Sequence, residues 1–358
     1  MDANPRSTDP DAPRFDRTTL LAAARRWVVP VAAPAAIALI IAAAADFFDR
    51  PDKTRSKPAA PAAPPTADTA VPTLMSKDRP LPRFVVSVRR TGSAVVVRDV
   101  RTFASLGQVA VPPKRRFQQV AAAGANSYIV SSSARDGTVF YRLRLAGDGR
   151  PAELAALPGV RVPGTSTMWS DMATNQDGTL IAYVSYGAKS GKIAVDVVSA
   201  ATGMRRTWTT SHEGRIGGLS WAGNTLSFVW TPTRGATVVR RQVRTLDTTR
   251  PGGGLGVSRP VLTLPDGADT AVLSRDGATI VAGVTNPSGL TLTAYSAADG
   301  RQTKVLWRRA GDAARVTRLV PDGAGGDLIA AQSTGRLLVG VAHGPGEFAA
   351  GDIADLAW

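Results

Sequence analysis

One short pattern limits what this chain can fold into. Asn175-Gln176-Asp177-Gly178-Thr179-Leu180-Ile181-Ala182-Tyr183-Val184 is a tight turn followed by an apolar run. Asp-Gly suits the turn because glycine reaches positive φ without a Cβ clash. The pattern returns at Ser274-Arg275-Asp276-Gly277-Ala278-Thr279-Ile280-Val281-Ala282 and again at Val320-Pro321-Asp322-Gly323, ahead of Leu328-Ile329-Ala330-Ala331. Taking the first apolar residue after each turn gives Phe84, Tyr128, Leu180, Leu226, Ile280 and Leu328, at spacings of 44, 52, 46, 54 and 48 residues. A second landmark, a glycine read as a turn, lies 23, 21, 23 and 20 residues further on, at Gly107, Gly149, Gly203 and Gly300. In the unit of Leu226 the run Gly252-Gly253-Gly254 reads as an insertion at that landmark.

Between the landmarks the chain offers short β-branched strands and no amphipathic helix. Strand candidates are Phe84–Val88, Ala94–Val100, Val109–Val111, Thr138–Leu145, Lys192–Val198, Ala236–Val243 and Leu290–Tyr295. A period of 40–50 residues with about four strands per unit indicates a β-propeller, whose blades cannot bury both faces alone and so stack around an axis. The fold class is all-β, a six-bladed β-propeller over residues 83–358. Asp-Gly pairs at 136, 148, 177, 266, 276, 299 and 322 are expected to make its hairpins. The segment Asp352-Ile353-Ala354-Asp355-Leu356-Ala357-Trp358 resembles the first strand of a unit and then stops. It is expected to supply the inner strand missing from the first blade, a 1+3 closure that removes open sheet edges.

Ahead of the repeats the composition changes. Residues 1–26 read as a polar cytoplasmic tail. Trp27 to Ala45 is 19 residues without a charge, preceded by Arg25-Arg26. That length spans a bilayer as a helix, and the flanking arginines place the N-terminus inside. The expected span is a transmembrane signal-anchor over 27–48. Two alternatives stay open: a signal peptide cleaved after Ala43-Ala44-Ala45, and a soluble helix. Residues 49–82 form a Pro/Ala-rich linker, with Pro58, Pro61, Pro64, Pro65, Pro72, Pro80 and Pro82 favouring an extended spacer.

The turn-and-strand motifs resemble TolB-like, WD40-like propellers over about residues 83–358. Anchor, linker and propeller together resemble envelope proteins of high-GC bacteria. That resemblance implies fold and place, and leaves the activity open, since the superfold hosts many functions.

Chemistry is sparse. The chain has no cysteine, which excludes disulfides, thiolate zinc sites and a lipobox cysteine. Histidine occurs only at His212 and His343, and the glutamates are Glu153, Glu213 and Glu347, so no converging metal or acid–base set can be assembled from spacing. Gly218-Leu219-Ser220-Trp221-Ala222 lacks the last glycine of a nucleophile elbow and sits on an expected first strand. Ala201-Thr202-Gly203-Met204-Arg205-Arg206-Thr207-Trp208 is similar to a quinoprotein docking motif, but its Gly-to-Trp gap is one residue too long; a turn glycine with a packing Trp is the better reading. The aspartates of the Asp-Gly pairs are turn residues. No catalytic, cofactor-binding or metal-ligating residue is assigned.

The net charge is +15, and residues 1–82 hold 11 Lys+Arg against 9 Asp+Glu, so the excess lies in the propeller. Arg240, Arg241 and Arg244, Lys114-Arg115-Arg116, and Arg308-Arg309 are candidates for a basic rim, against the alternative of solvated surface charge. The expected function is a non-catalytic binding or scaffold module of the cell envelope, with an envelope protein or an anionic polymer on the propeller face. The alternatives are a funnel-site hydrolase or lactonase and a membrane-bound sensor. The extracytoplasmic position argues against nucleic acid as partner.

Overall fold

Strand pairing sorts the chain into six sheets, antiparallel apart from one two-residue parallel pairing. The computed structural model describes residues 81–134, 137–187, 192–235, 237–311, 313–323 and 326–358. The tail (1–26), the expected span (27–48) and all but the last two linker residues therefore lie outside the described residues. Among the described residues no helix is long and apolar enough to cross a membrane.

Blade 1 holds β1 (Phe84–Arg89), β2 (Ala94–Asp99) and β3 (Ser105–Ala110); blade 2 holds β4 (Arg116–Ala122), β5 (Ser127–Ala134), β6 (Gly137–Leu145) and β7 (Pro151–Val162). Blade 3 has β8 (Met172–Thr174), β9 (Leu180–Tyr186), β10 (Ile193–Ser199) and β11 (Arg205–Thr209). Blade 4 has β12 (Gly214–Ala222), β13 (Thr225–Arg234), the short β14 (Thr237–Val238), β15 (Gln242–Asp247) and β17 (Arg259–Thr263), while β16 (Gly253–Gly254), between β15 and β17 in the chain, joins the sheet of blade 3. Blade 5 has β18 (Ala268–Leu273), β19 (Thr279–Asn286), β20 (Gly289–Ser296) and β21 (Gln302–Ala310); blade 6 has β22 (Val316–Pro321), β23 (Leu328–Gln332), β24 (Arg336–Val339) and β25 (Gly346–Ala349). The last strand, β26 (Ile353–Ala357), pairs antiparallel with β1 and completes blade 1 from the inside. Ring closure is thus as the sequence implied, and all six landmark residues, Phe84 to Leu328, open or nearly open the second strand of a blade.

Those second strands read as continuous apolar runs because neighbouring blades cover both of their faces. Phe84–Val88 and Ile181–Ser185 are buried throughout. The core is accordingly six clusters, one at each blade interface. Between blades 2 and 3, for example, Ile129, Phe140, Val160 and Val162 meet Ile181, Tyr183 and Val198. The Phe140 and Tyr183 rings meet edge to face, 5.6 Å apart. Each such fully buried side chain contributes about 1.5–3 kcal/mol of transfer free energy. The sixth cluster joins blade 6 to blade 1 through Ile329, Leu337 and Val339 against Val85, Leu356 and Trp358; Leu81, just ahead of β1, packs on it.

Three local expectations are corrected. Gly107 is inside β3 and makes no turn. The turn residue of blade 1 is Phe103, at φ 59°, where blades 2, 3 and 5 place Gly149 (87°), Gly203 (70°) and Gly300 (73°). In each of these last two turns and in blade 1 the same backbone bond closes the loop: Phe103 N–H donates to Asp99 O, Gly203 N–H to Ser199 O and Gly300 N–H to Ser296 O. Asp266-Gly267 joins blades 4 and 5 and is no hairpin. The strand expected over Ala236–Val243 breaks into β14 and the start of β15, because blade 4 extends its second strand and folds β14 back on it. The glycine insertion is where it was expected; it carries β16, which pairs in parallel with β11 of the preceding blade.

Phe103 accepts left-handed backbone because its ring is buried and stacks on Phe348, 4.8 Å away. Relief of that backbone strain is worth about 1–2 kcal/mol, whereas losing a buried phenylalanine costs about 3–5 kcal/mol. Phe103→Gly is therefore expected to destabilise by about 2 kcal/mol, lowering Tm by roughly 4–8 °C. A rise in Tm on thermal unfolding would show that strain dominates.

Candidate functional site

The inner strands bring polar side chains to the axis at corresponding steps, and these side chains lace one blade to the next. On blade 1 the Asp355 carboxylate accepts the Val120 N–H of blade 2 (2.8 Å) and its own neighbour's, Leu356 (2.8 Å). On blade 3 Asp171 accepts the Leu219 N–H of blade 4 (3.0 Å) and that of Met172 (2.8 Å). Gln119 of blade 2 donates to Ser170 O ahead of blade 3 (3.1 Å), and Ser220 Oγ accepts Leu273 N–H from blade 5 (2.9 Å). Blade 6 contributes Arg318, whose Nη2 lies 2.9 Å from Asp355 and 3.1 Å from Asp171. Asp355 is on the adjacent blade and Asp171 on the opposite one, so a single guanidinium ties blades across the axis.

Burial pushes the Asp355 carboxyl up, to about 6, against the opposing pull of Arg318 and the Val120 N–H. For Arg318, burial lowers the pKa, but Asp355 and Asp171 outweigh it and the net shift is upward. The sign for stability follows from linkage. Between the ordinary aspartate range and about pH 6 the folded state holds more protons at Asp355 than the unfolded chain. Its contribution is complete below about pH 4 and is lost as pH rises through about 6. Asp355→Asn keeps the acceptor for Val120 and removes the titration. It is expected to flatten the pH dependence of Tm between pH 4 and 7 relative to the parent chain, as checked by unfolding scans; an unchanged slope would remove Asp355 as its source.

Toward the hairpin end the axis opens into a funnel of about 520 Å³. Met172, Leu219, Leu273 and Leu319 wall it, Arg318 lies at its neck, and Asn175, Gln176, Asp177 and Arg275 rim it. The rim aspartate is consumed by its turn. Asp177 accepts from Thr179 N–H (3.1 Å) and Thr179 Oγ1 (2.7 Å), which hold it below the usual carboxylate range. Three outer turns at this end each pair an arginine with an aspartate: Arg150 with Asp148, Arg250 with Asp247 and Arg301 with Asp299, at 3.3–3.7 Å.

The opposite end, where blades are joined, is different. Lys114, Arg115 and Arg116 lie on the junction of blades 1 and 2, Arg215 starts blade 4, Arg234, Arg240 and Arg241 flank β14, and Arg315 lies between blades 5 and 6. Against them, among the described residues, stand Glu213, Asp266, Asp269, Asp352 and Glu347, the last 3.1 Å from Arg309. Asp269 serves two arginines, Arg241 (2.9 Å) and Arg315 (3.0 Å). Among the described residues no carboxylate is in ion-pair range of Lys114, Arg116, Arg234 or Arg240. The fold thus gathers on one face basic groups that are scattered in sequence, including Arg308 and Arg309 at the upper end of β21. Arg244 is not among them. It lies within β15 and donates through Nε to Ser258 Oγ (2.9 Å) and through Nη2 to Ser258 O.

The remaining sequence candidates do not converge. His212 is exposed on the loop between blades 3 and 4, with Nδ1 2.9 Å from Ser211 Oγ, and His343 closes a short 3-10 turn in blade 6. Glu153 pairs with Arg144, and Glu347 with Arg309 and Arg336. Ser220 is buried in the blade 4–5 lacing, and Trp208 is fully buried behind the Gly203 turn. Among the described residues no cluster of three His, Asp or Glu could hold a metal ion.

The chain is a closed six-bladed β-propeller with an ionic axis, a funnel at one end and a basic face at the other. No protein-family model matches its sequence, and no curated protein matches it. Solved structures resemble it at low identity. A protein of unknown function from Bacteroides caccae is 12% identical over 77% of this chain and 98% of its own, with a TM-score of 0.45. TolB from Acinetobacter baumannii is 12% identical over 77% of this chain and 65% of its own, at 0.48. A chain of a nidogen/laminin complex is 12% identical over 76% and 97%, at 0.46.

Proposed function

We propose that this chain is a membrane-anchored, extracytoplasmic propeller that serves as a non-catalytic binding or scaffold module of the cell envelope, with an anionic partner on its junction face. The observation that carries the reading is the separation of charge. At the hairpin end three outer turns each pair an arginine with an aspartate, whereas among the described residues the junction end collects more lysine and arginine than carboxylates to answer them. Such a face attracts and orients anionic partners. The axial carboxylates also support a binding role over a hydrolytic one, since Asp171 and Asp355 are engaged by backbone N–H groups and Arg318. The uncharged run Trp27 to Ala45 supports the anchor.

The chain lacks cysteine, so placement can be tested with Val257→Cys, at a residue 58% exposed. A membrane-impermeant maleimide is expected to label that variant in intact cells; labelling only after lysis would overturn the orientation. Binding is tested with the full chain in nanodiscs over immobilised poly-glutamate. Retention should fall steeply with salt and be lost on charge reversal at Lys114, Arg116 and Arg240.

A further inference from the structure

The loop joining blades 2 and 3 presents two apolar side chains to solvent on the basic face. Met168 is 82% exposed and Trp169 45%, the most exposed large pair the described residues offer in sequence. They are not on slack chain. Ser170 N–H donates to Thr167 O (3.0 Å), Trp169 N–H to Thr167 Oγ1 (3.1 Å), and Tyr186 OH to Trp169 O (3.2 Å). One face of the indole is covered by the Arg215 guanidinium, 3.6 Å from the ring centroid.

Building on the reading that the junction face binds an anion, we propose that its partner is an acidic protein segment carrying an aromatic or aliphatic side chain, which docks against Met168 and Trp169. Exposed tryptophan and methionine beside arginine are the residue types that dominate protein interfaces, because they release much apolar surface at a rigid site. A polyanion without apolar groups would draw on the cations alone and leave Met168 in water. Lys114, Arg116 and Arg240 then supply long-range attraction, while Met168 and Trp169 supply discrimination among acidic partners.

The test uses the full chain in nanodiscs and three fluorescent or labelled probes: poly-glutamate, a glutamate–tyrosine copolymer of matched length and charge density, and phosphatidylglycerol vesicles. The copolymer is expected to bind at least tenfold more tightly than poly-glutamate. The double variant Met168→Ala, Trp169→Ala should erase that preference and leave the weaker, salt-sensitive binding of poly-glutamate intact. Unchanged thermal unfolding of the variant controls for folding. Equal binding of both polymers, or a preference that survives the double variant, overturns the docking site while leaving an anion-binding face. Vesicle binding lost in the double variant also overturns it, in favour of a lipid surface. Binding of no probe overturns the anion-binding reading itself.

Discussion

Arg318→Met should lower the unfolding free energy by about 3–5 kcal/mol, the cost typical of breaking a buried ion pair by removing one partner. The substitution keeps much of the side-chain volume, so a cavity is not the cause. What remains is two carboxylates, Asp355 and Asp171, with side chains only 2% and 9% exposed. They face each other across the axis without the guanidinium that neutralised them. Their hydrogen bonds from Val120 and Leu219 cannot repay the desolvation of two negative charges. Two features separate this mechanism from simple loss of contacts. First, the variant's Tm should rise as pH falls from 7 toward 5, because protonation relieves the repulsion. Second, adding Asp171→Asn and Asp355→Asn should restore much of the loss, giving a large coupling energy in a mutant cycle. A single variant within 1 kcal/mol of the parent in chemical denaturation, with no pH response, would show that the axis is not under electrostatic control.

The axis was also the part least visible in the sequence. The propeller was legible because its signal is repetitive: a turn glycine and a buried second strand recur, and each copy reinforces the others. Arg318, Asp171 and Asp355 carry no such signal. They lie on or just before the inner strands of three blades, and nothing in 318, 171 and 355 as positions says that the ring brings Arg318 to 2.9 Å from Asp355 and 3.1 Å from Asp171. A weak clue existed, since Asp171-Met172-Ala173 and Asp355-Leu356-Ala357 are the same short pattern, an acid ahead of an apolar strand. It becomes meaningful only when both segments are known to be innermost.

The same logic explains the local corrections. Gly107 matched the landmark spacing, but in blade 1 the left-handed position is filled by Phe103, which propensity would not choose and which a buried stack on Phe348 makes tolerable. Arg240, Arg241 and Arg244 were grouped by proximity in sequence. The fold separates them: the first two flank the junction face, and Arg244 turns inward to Ser258. Conversely, Lys114–Arg116 and Arg240 are far apart in the chain and share a face only because every blade junction lies at one end of the ring. Met168 and Trp169 gave no periodic signal, since an exposed apolar pair in a loop is recognised only by its exposure.

Removing the closing strand should have the largest effect of all. A chain ending at Gly351 loses Leu356, Ala357 and Trp358, each 2% exposed, and Asp355 at 3%. Leu356 and Trp358 alone account for about 3–6 kcal/mol of transfer free energy. The loss also spreads beyond blade 1. The β1 edge is left unpaired along Val86 to Arg89, Trp358 Nε1–H no longer reaches Val320 O (3.0 Å), and Gly323 N–H loses Trp358 O (2.9 Å). Arg318 loses its nearer carboxylate, so the axial cluster fails together with the blade 6–1 interface. A ring differs from a linear array here, because opening it exposes two sheet faces and an unpaired edge at once. The truncated chain is expected to show no cooperative unfolding transition and to aggregate through that edge. Because the missing piece is a single short strand, a synthetic peptide of residues 352–358 added during refolding should restore a cooperative transition in part, with a midpoint that rises with peptide concentration. A peptide with Leu356→Asp should not restore it. A truncated chain that melts cooperatively at the parent's Tm would mean that blade 1 stands on three strands and that the closing strand adds nothing to the fold.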